Sequence, residues 1–164
     1  MTIIKSLLAI TVLCTGITAF GMRKEALTHE KEVAAMFDAM HNNDAQAVEN
    51  LLNESSDARA LANAYHPNGI AVLREAASYG NSRIVDLLIQ AGAHPNPQDS
   101  YNVTPLMLAV LGSNVDIVRK LINHGANVNA TDNSGQSALD YVGFGGGTTE
   151  AQKVVVRKLI TDAQ

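Results

Sequence analysis

The chain has no tryptophan, a single cysteine and only four prolines, and aromatic residues make up 4% of its 164 positions. With so few rings, any core must be aliphatic, built from Leu, Ile, Val and Ala. A lone cysteine, Cys14, excludes a disulfide framework. Positive charge is also scarce: 12 Lys and Arg stand against 16 Asp and Glu, for a formal charge of −4. No run of basic residues with interleaved aromatics occurs, so a phosphate-backbone binder is excluded and no nucleic-acid partner is expected. No low-complexity stretch suggests disorder, and an apolar content of 46% is ordinary for a folded chain of one domain.

Residues 1–21 differ from the rest of the chain. MTIIK supplies a short basic start with Lys5, and SLLAITVLCTGITAFG is a 16-residue stretch without a charge. Ala19 and Gly21 are small residues spaced as a cleavage site requires. As a helix the stretch would reach roughly 24 Å, short of the roughly 30 Å of a bilayer's hydrocarbon core. A cleaved signal peptide over 1–21 is expected, then a linker over 22–29, with delivery to a periplasm or out of the cell. The alternative is a membrane anchor formed by residues 3–20, because Arg23 and Lys24 come directly after the apolar run and oppose translocation. Cleavage would carry off Cys14; its acylation is disfavoured by Leu13, where lipoprotein signals carry a small residue.

The remainder repeats itself. AVLREAASYGNSRIVDLLIQAGAHPNPQD, from Ala71, aligns with TPLMLAVLGSNVDIVRKLINHGANVNATD, from Thr104, at an offset of 33 residues, with about a third of positions identical. Leu73/Leu106, Ala76/Ala109, Ile84/Ile117, Val85/Val118, Gly92/Gly125, Asn96/Asn129 and Asp99/Asp132 are among the matched pairs. A further copy begins at Ser137, its second half (VVVRKLI, 154–160) displaced by an insertion around GFGGGTTE. An upstream copy starts near Ala34, with extra residues in NESSDARALANAYHPNG before Ala71.

Each segment has a physical role. Thr104 is a good N-cap and Pro105 suits the first helical position. Leu106, Ala109 and Val110 form an apolar stripe at helical spacing, as do Ile117, Val118, Leu121 and Ile122 after a break at Ser113 and Asn114. Gly125 can end the second helix in the left-handed conformation, beside His124 as a donor to its C-terminus. Asp132 to Gly135 supplies turn chemistry for a hairpin-like loop. Helices this short are marginal alone, so neighbouring copies must bury their stripes against each other.

These marks resemble the ankyrin repeat, whose first helix reads T-P-L-H-x-A-A and whose later signature is G-A-x-V-N and then D-x-x-G. Thr104-Pro105-Leu106, Gly125-Ala126-Asn127-Val128-Asn129 and Asp132-Asn133-Ser134-Gly135 carry the resemblance, which covers roughly residues 30–163. It implies an all-α ankyrin-repeat solenoid of about four helix-turn-helix units with short hairpin loops, occupying 30–164 in repeats near 30–66, 67–99, 100–132 and 133–164. The second unit lacks the Thr-Pro cap, so its first helix should start less sharply, and Asn102 replaces a turn glycine. Polar residues in the first unit, and Lys153, Arg157, Lys158 and Asp162 in the last, read as caps of a complete array, expected to be monomeric.

Chemistry is sparse. GFGGGTTE lacks the lysine of a phosphate loop and no strand precedes it; it reads as an insertion, with Thr149 and Gln152 at capping-box spacing to start the last helix. The five histidines do not converge, so no metal or other cofactor is expected. Asp38 and Glu75 occupy equivalent places on adjacent first helices, but a ridge of helices offers them no deep pocket; they read as structural, and no enzyme is expected. What the resemblance implies is protein binding on the concave face of first helices and hairpin tips. Mapped onto this sequence, the candidate contact residues are Arg74, Tyr79, Tyr101, Met107, Leu111, Asn133 and Asp140, with Phe144 beside them. An exported, non-catalytic interaction module is the expectation; an inhibitor or immunity-type factor for an envelope enzyme, and an envelope stress or scaffold protein, are its alternatives.

Overall fold

A computed structural model describes residues 29–144 and 149–164. The signal peptide or anchor, nearly all of the linker and the middle of the glycine-rich insertion lie outside the described residues. Residues 33–164 form one compact unit, which holds the repeats. The described helices are α1 (residues 29–41), α2 (Ala45–Glu54), α3 (Ala58–Ala62), α4 (Val72–Tyr79), α5 (Ser82–Gln90), α6 (Pro105–Leu111), α7 (Val115–Asn123) and α8 (Glu150–Thr161). Among the described residues the only extended pairings are the isolated antiparallel bridges Tyr65–Ala71 and Thr131–Ser137.

Helices alternate between two rows. First helix α4 packs on α6, while second helices α2, α5, α7 and α8 pack in succession. The core keeps the 33-residue register: Leu73, Ala76 and Ala77 on α4 are buried, as are Leu106, Ala109 and Val110 on α6. On the second helices Ile84, Val85 and Leu88 recur as Ile117, Val118 and Leu121, all buried. Alanines at 76 and 109 leave no bulky side chain to hold the first helices apart.

Caps and turns match the sequence pattern closely. Thr104 Oγ1 accepts from the Met107 N–H at 3.3 Å, and Pro105 comes next in the chain. Ala71 offers α4 no side-chain cap, as its missing Thr-Pro predicts. The break between helices has a left-handed residue in each of the first three units, supplied by Asn43 (φ 56°), Gly80 (φ 75°) and Ser113 (φ 49°). A Cβ at Gly80 would lie 2.8 Å from Asn114 Nδ2, so a larger residue there would have to push that side-chain amide aside. Asn102 takes φ 59°, the conformation for which asparagine is the best substitute. His124 Nδ1 lies 2.8 Å from the Lys120 carbonyl at the end of α7.

Two places differ from expectation. The segment before Ala71 contains an extra short helix, α3, whose first turn is capped by Asp57 accepting from Ala60 N at 2.8 Å. In the last unit the expected first helix from Ser137 is absent, and residues 138–144 form consecutive turns. Their bonds run from Asp140 N to Ser137 O, Val142 N to Leu139 O and Phe144 N to Tyr141 O. Gly143, at φ 120°, then turns the chain into the insertion. Ala138 is still buried, so the unit seals its end of the core without a complete helix.

Asparagine amides set the register between units. Asn63 Nδ2 donates to Gly92 O at 2.9 Å, and its Oδ1 accepts from His94 N at 2.7 Å. One period later Asn96 repeats both bonds, to Gly125 O at 3.0 Å and from Asn127 N at 2.7 Å. Asn129 stands at the third rung, where its Oδ1 accepts from the Gln164 side chain at 3.3 Å. Replacing Asn96 with Ala is therefore expected to cost about 1–2 kcal/mol, two net hydrogen bonds, while Asn129→Ala costs a few tenths, about what an ordinary surface change does. Urea unfolding of the two variants checks this; equal losses would show that the rungs do not hold the register.

Candidate functional site

The hairpins between units are built from one position. Asp99 Oδ1 accepts from Tyr101 N at 2.8 Å and Val103 N at 3.0 Å, and Asp132 Oδ1 accepts from Ser134 N and Gln136 N at 2.8 and 2.9 Å. The second oxygen of each carboxylate reaches a neighbouring element: Asp99 Oδ2 pairs with Arg74 at 3.0 Å, and Asp132 Oδ2 accepts from the Tyr141 hydroxyl at 2.8 Å. At the first hairpin His66 stands in this place, its Nδ1 accepting only from Asn68 N at 3.3 Å. Asn68 Oδ1 takes the remaining donor, Ile70 N.

This frame decides which candidate contact residues are free. Tyr101 is: its N–H and carbonyl are held by Asp99 and by the Asn133 N–H, yet its ring is 69% exposed. Tyr79 is 45% exposed and its hydroxyl lies 3.1 Å from His41 Nδ1. Leu111 is half-buried and Phe144 exposed, with the Tyr141 ring edge-on 6.1 Å away.

The other four carry structural duties. Met107 is a correction: it is wholly buried, and its Sδ accepts from the Thr104 N–H at 3.4 Å, completing the cap of α6. It occupies the fourth position of the T-P-L-H signature, a scaffold place and no part of the surface. Arg74 is mostly buried between Asp99 and Glu75, the latter at 3.5 Å. Asn133 joins adjacent tips, donating to Ser100 O and accepting from Asn102 Nδ2. Asp140 accepts from both the N–H and the hydroxyl of Ser137 at 2.7 and 2.6 Å; the Ser-x-x-Asp spacing, a capping-box pattern, was the available signal.

Sequence reasoning missed two features. The first is an open recess of about 200 Å³ in which Asp38 and Glu75, expected to have no deep pocket, stand together with Phe37, His41, His66, Asn68, Ile70 and Tyr79. Their equivalence at adjacent first helices was the legible clue. The second is α8, where Val154 and Val155 are 61% and 41% exposed among the expected polar cap residues.

The electrostatics derive from the same bonds. The Gln136 N–H, then the Tyr141 and Ser134 donors, hold the Asp132 carboxyl below the usual aspartate range. Hydrogen bonds from Ser137 hold Asp140 down likewise. Burial, then the bond to Asp132, pushes the Tyr141 phenol up to about 12.

Likeness to known proteins agrees with this geometry. A family model of ankyrin repeats in three copies matches residues 33–132. Protein phosphatase 1 regulatory subunit 27 from Homo sapiens is 39% identical over 77 residues, 47% of this chain and 50% of that protein. A putative ankyrin repeat-containing protein of Treponema pallidum is 42% identical over 71 residues, 43% of this chain and 24% of that one. The RelA-associated inhibitor of Mus musculus is 32% identical over 121 residues, 72% of this chain and 14% of its own. The chain thus spans half or less of these relatives' lengths. It belongs to the ankyrin-repeat family, and its fold is an all-α ankyrin solenoid.

The Asp132–Tyr141 bond gives a pH signature. Tyr141's raised value means that the protonated phenol is favoured in the folded chain. Its contribution is complete below about pH 10, the ordinary tyrosine value, and is lost as pH climbs through about 12. Asp132 has the opposite sign: its contribution is present above the ordinary aspartate value of about 3.9 and lost as pH falls through its lowered one. Absorbance titration near 295 nm should show Asp132→Asn drawing one tyrosine's ionisation down from about 12 toward 10. An unmoved curve would refute the assignment.

Proposed function

We propose that the repeat domain is a non-catalytic module that binds a protein partner across its first-helix face and hairpin tips. The observation that carries this is Tyr101, whose backbone is fixed by the units on both sides while its ring stays 69% exposed. A large ring on a pre-ordered backbone contributes contact area at little entropic cost, and tyrosine is enriched among residues that dominate binding energy. Tyr79 and Leu111 extend that surface. Membership of the ankyrin family supports the reading, since its repeats serve as interaction modules.

Binding that restrains another protein's activity is the finer form of the proposal, in keeping with relatives named as a phosphatase regulatory subunit and as an inhibitor. In this reading the chain acts as a monomer after export, released by cleavage after Gly21; the support is the charge-free stretch between Lys5 and Arg23. A membrane-anchored form retaining residues 3–20 is its alternative. Intact-mass measurement of the protein from its native cells separates them, because only cleavage yields a chain beginning at Met22.

A photoreactive residue placed at Leu111, and separately at Tyr101, tests the binding surface. A dominant adduct to one other protein is expected from both positions. Adducts only to a second copy, or none from either site, would overturn the proposal.

A further inference from the structure

We infer that the recess between α1, α4 and the hairpin at 66–70 receives a cationic side chain, lysine or arginine, from the bound partner. The inference rests on the protein-binding reading and names the chemistry of one contact within it.

The lining is asymmetric in charge. Asp38 and Glu75 contribute two carboxylates, and no lysine or arginine lines the recess. Arg74 lies 3.0 Å from Asp99 and 3.5 Å from Glu75, so one guanidinium is shared between two carboxylates and offsets the charge of Glu75 only in part. Asp38 is exposed to solvent, and its carboxylate has no hydrogen bond or ion pair among the described residues, so it is open to a cation from outside. With histidines counted as neutral, the recess presents net negative charge, which attracts a cation and repels an acidic or phosphorylated segment.

Shape and lining agree with the charge. At about 200 Å³ the recess is smaller than the range of about 300–1,000 Å³ typical of small-molecule sites and suits one side chain. Phe37 and Tyr79 offer aromatic surface for a cation and its aliphatic stem. Both rings are held: Phe37 meets His66 edge-on with centroids 5.0 Å apart, and the Tyr79 hydroxyl lies 3.1 Å from His41 Nδ1. Burial, and then the charge of Glu75, raises the Tyr79 phenol's pKa, in line with negative potential along this wall. Among the described residues no three His, Cys, Asp or Glu side chains are placed to hold a metal ion, so an organic cation is the better fit.

The test is an amide-resolved NMR titration of the isotope-labelled protein at pH 7.5. The probes are the acetylated, amidated peptide Gly-Gly-Arg-Gly-Gly and its citrulline counterpart, which keeps the shape and loses the charge. The arginine peptide should give saturable shifts confined to residues 37–41, 66–70 and 75–79. Citrulline should give none, and Asp38→Asn with Glu75→Gln should weaken binding about tenfold, the loss of roughly 1.4 kcal/mol. If that double variant misfolds, Asp38→Asn alone carries the test, since its carboxylate has no partner to lose, and about threefold weakening is expected. Equal binding of citrulline, or shifts spread over other acidic surfaces that survive the variants, would overturn the inference. A photo-adduct from Leu111 whose yield is unchanged in the double variant would also sink it, while leaving the protein-binding reading intact. Localised arginine binding with no adduct at either photoreactive position would do the reverse.

Discussion

Everything in this domain depends on one constraint: helices of seven to ten residues, such as α6 and α2, cannot persist alone and must share their apolar stripes with the next unit. Leu, Ile, Val and Ala at matched positions meet that need with almost no help from aromatic rings. Apolar burial is non-directional, however, and would tolerate sliding of one helix pair over another. The asparagine rungs at 63 and 96, bonded to backbone on the adjacent loop, remove that freedom. Aliphatic stacking supplies the drive, and amide geometry supplies the register.

How much could be read in advance depended on whether a residue acts locally. The left-handed Asn102, the cap at Thr104 and the box at Thr149 and Gln152 are decided within a few residues, and all are as the sequence implied. Failures came where partners lie a unit away or compete. Ser137-Ala138-Leu139-Asp140 has helical spacing, but Gly143 and the glycines that follow Phe144 in the sequence are poor helix formers, so the turns are not favoured to continue as a helix. Met107 looked like a surface residue because its neighbours are apolar, although its place inside the signature marks it as scaffold. The pairings of Asp99 and Asn133 were not legible locally, because their bonds to Arg74 and Ser100 span a full unit or nearly so.

Surface and scaffold therefore draw on the same residue types. Of seven residues mapped by family resemblance, Arg74, Met107, Asn133 and Asp140 are spent on holding the units together or capping them. Tyr79, Tyr101 and Leu111 remain as surface, and the recess at Asp38 and Glu75 adds a polar element beside Tyr79. The face is consequently neither uniformly apolar nor uniformly charged. It has aromatic projections toward the tips and a negative hollow near its start.

The residue at the base of each hairpin gives the array a direction. Asp99 and Asp132 each bind two backbone donors and a side chain beyond the hairpin, whereas His66 accepts from one donor only. The first hairpin thus divides between two side chains, His66 and Asn68, the donors that a single carboxylate holds in each of the later two. Since the recess is walled by this same hairpin, an occupant would tie the one hairpin that is not built on a carboxylate to α1 and α4.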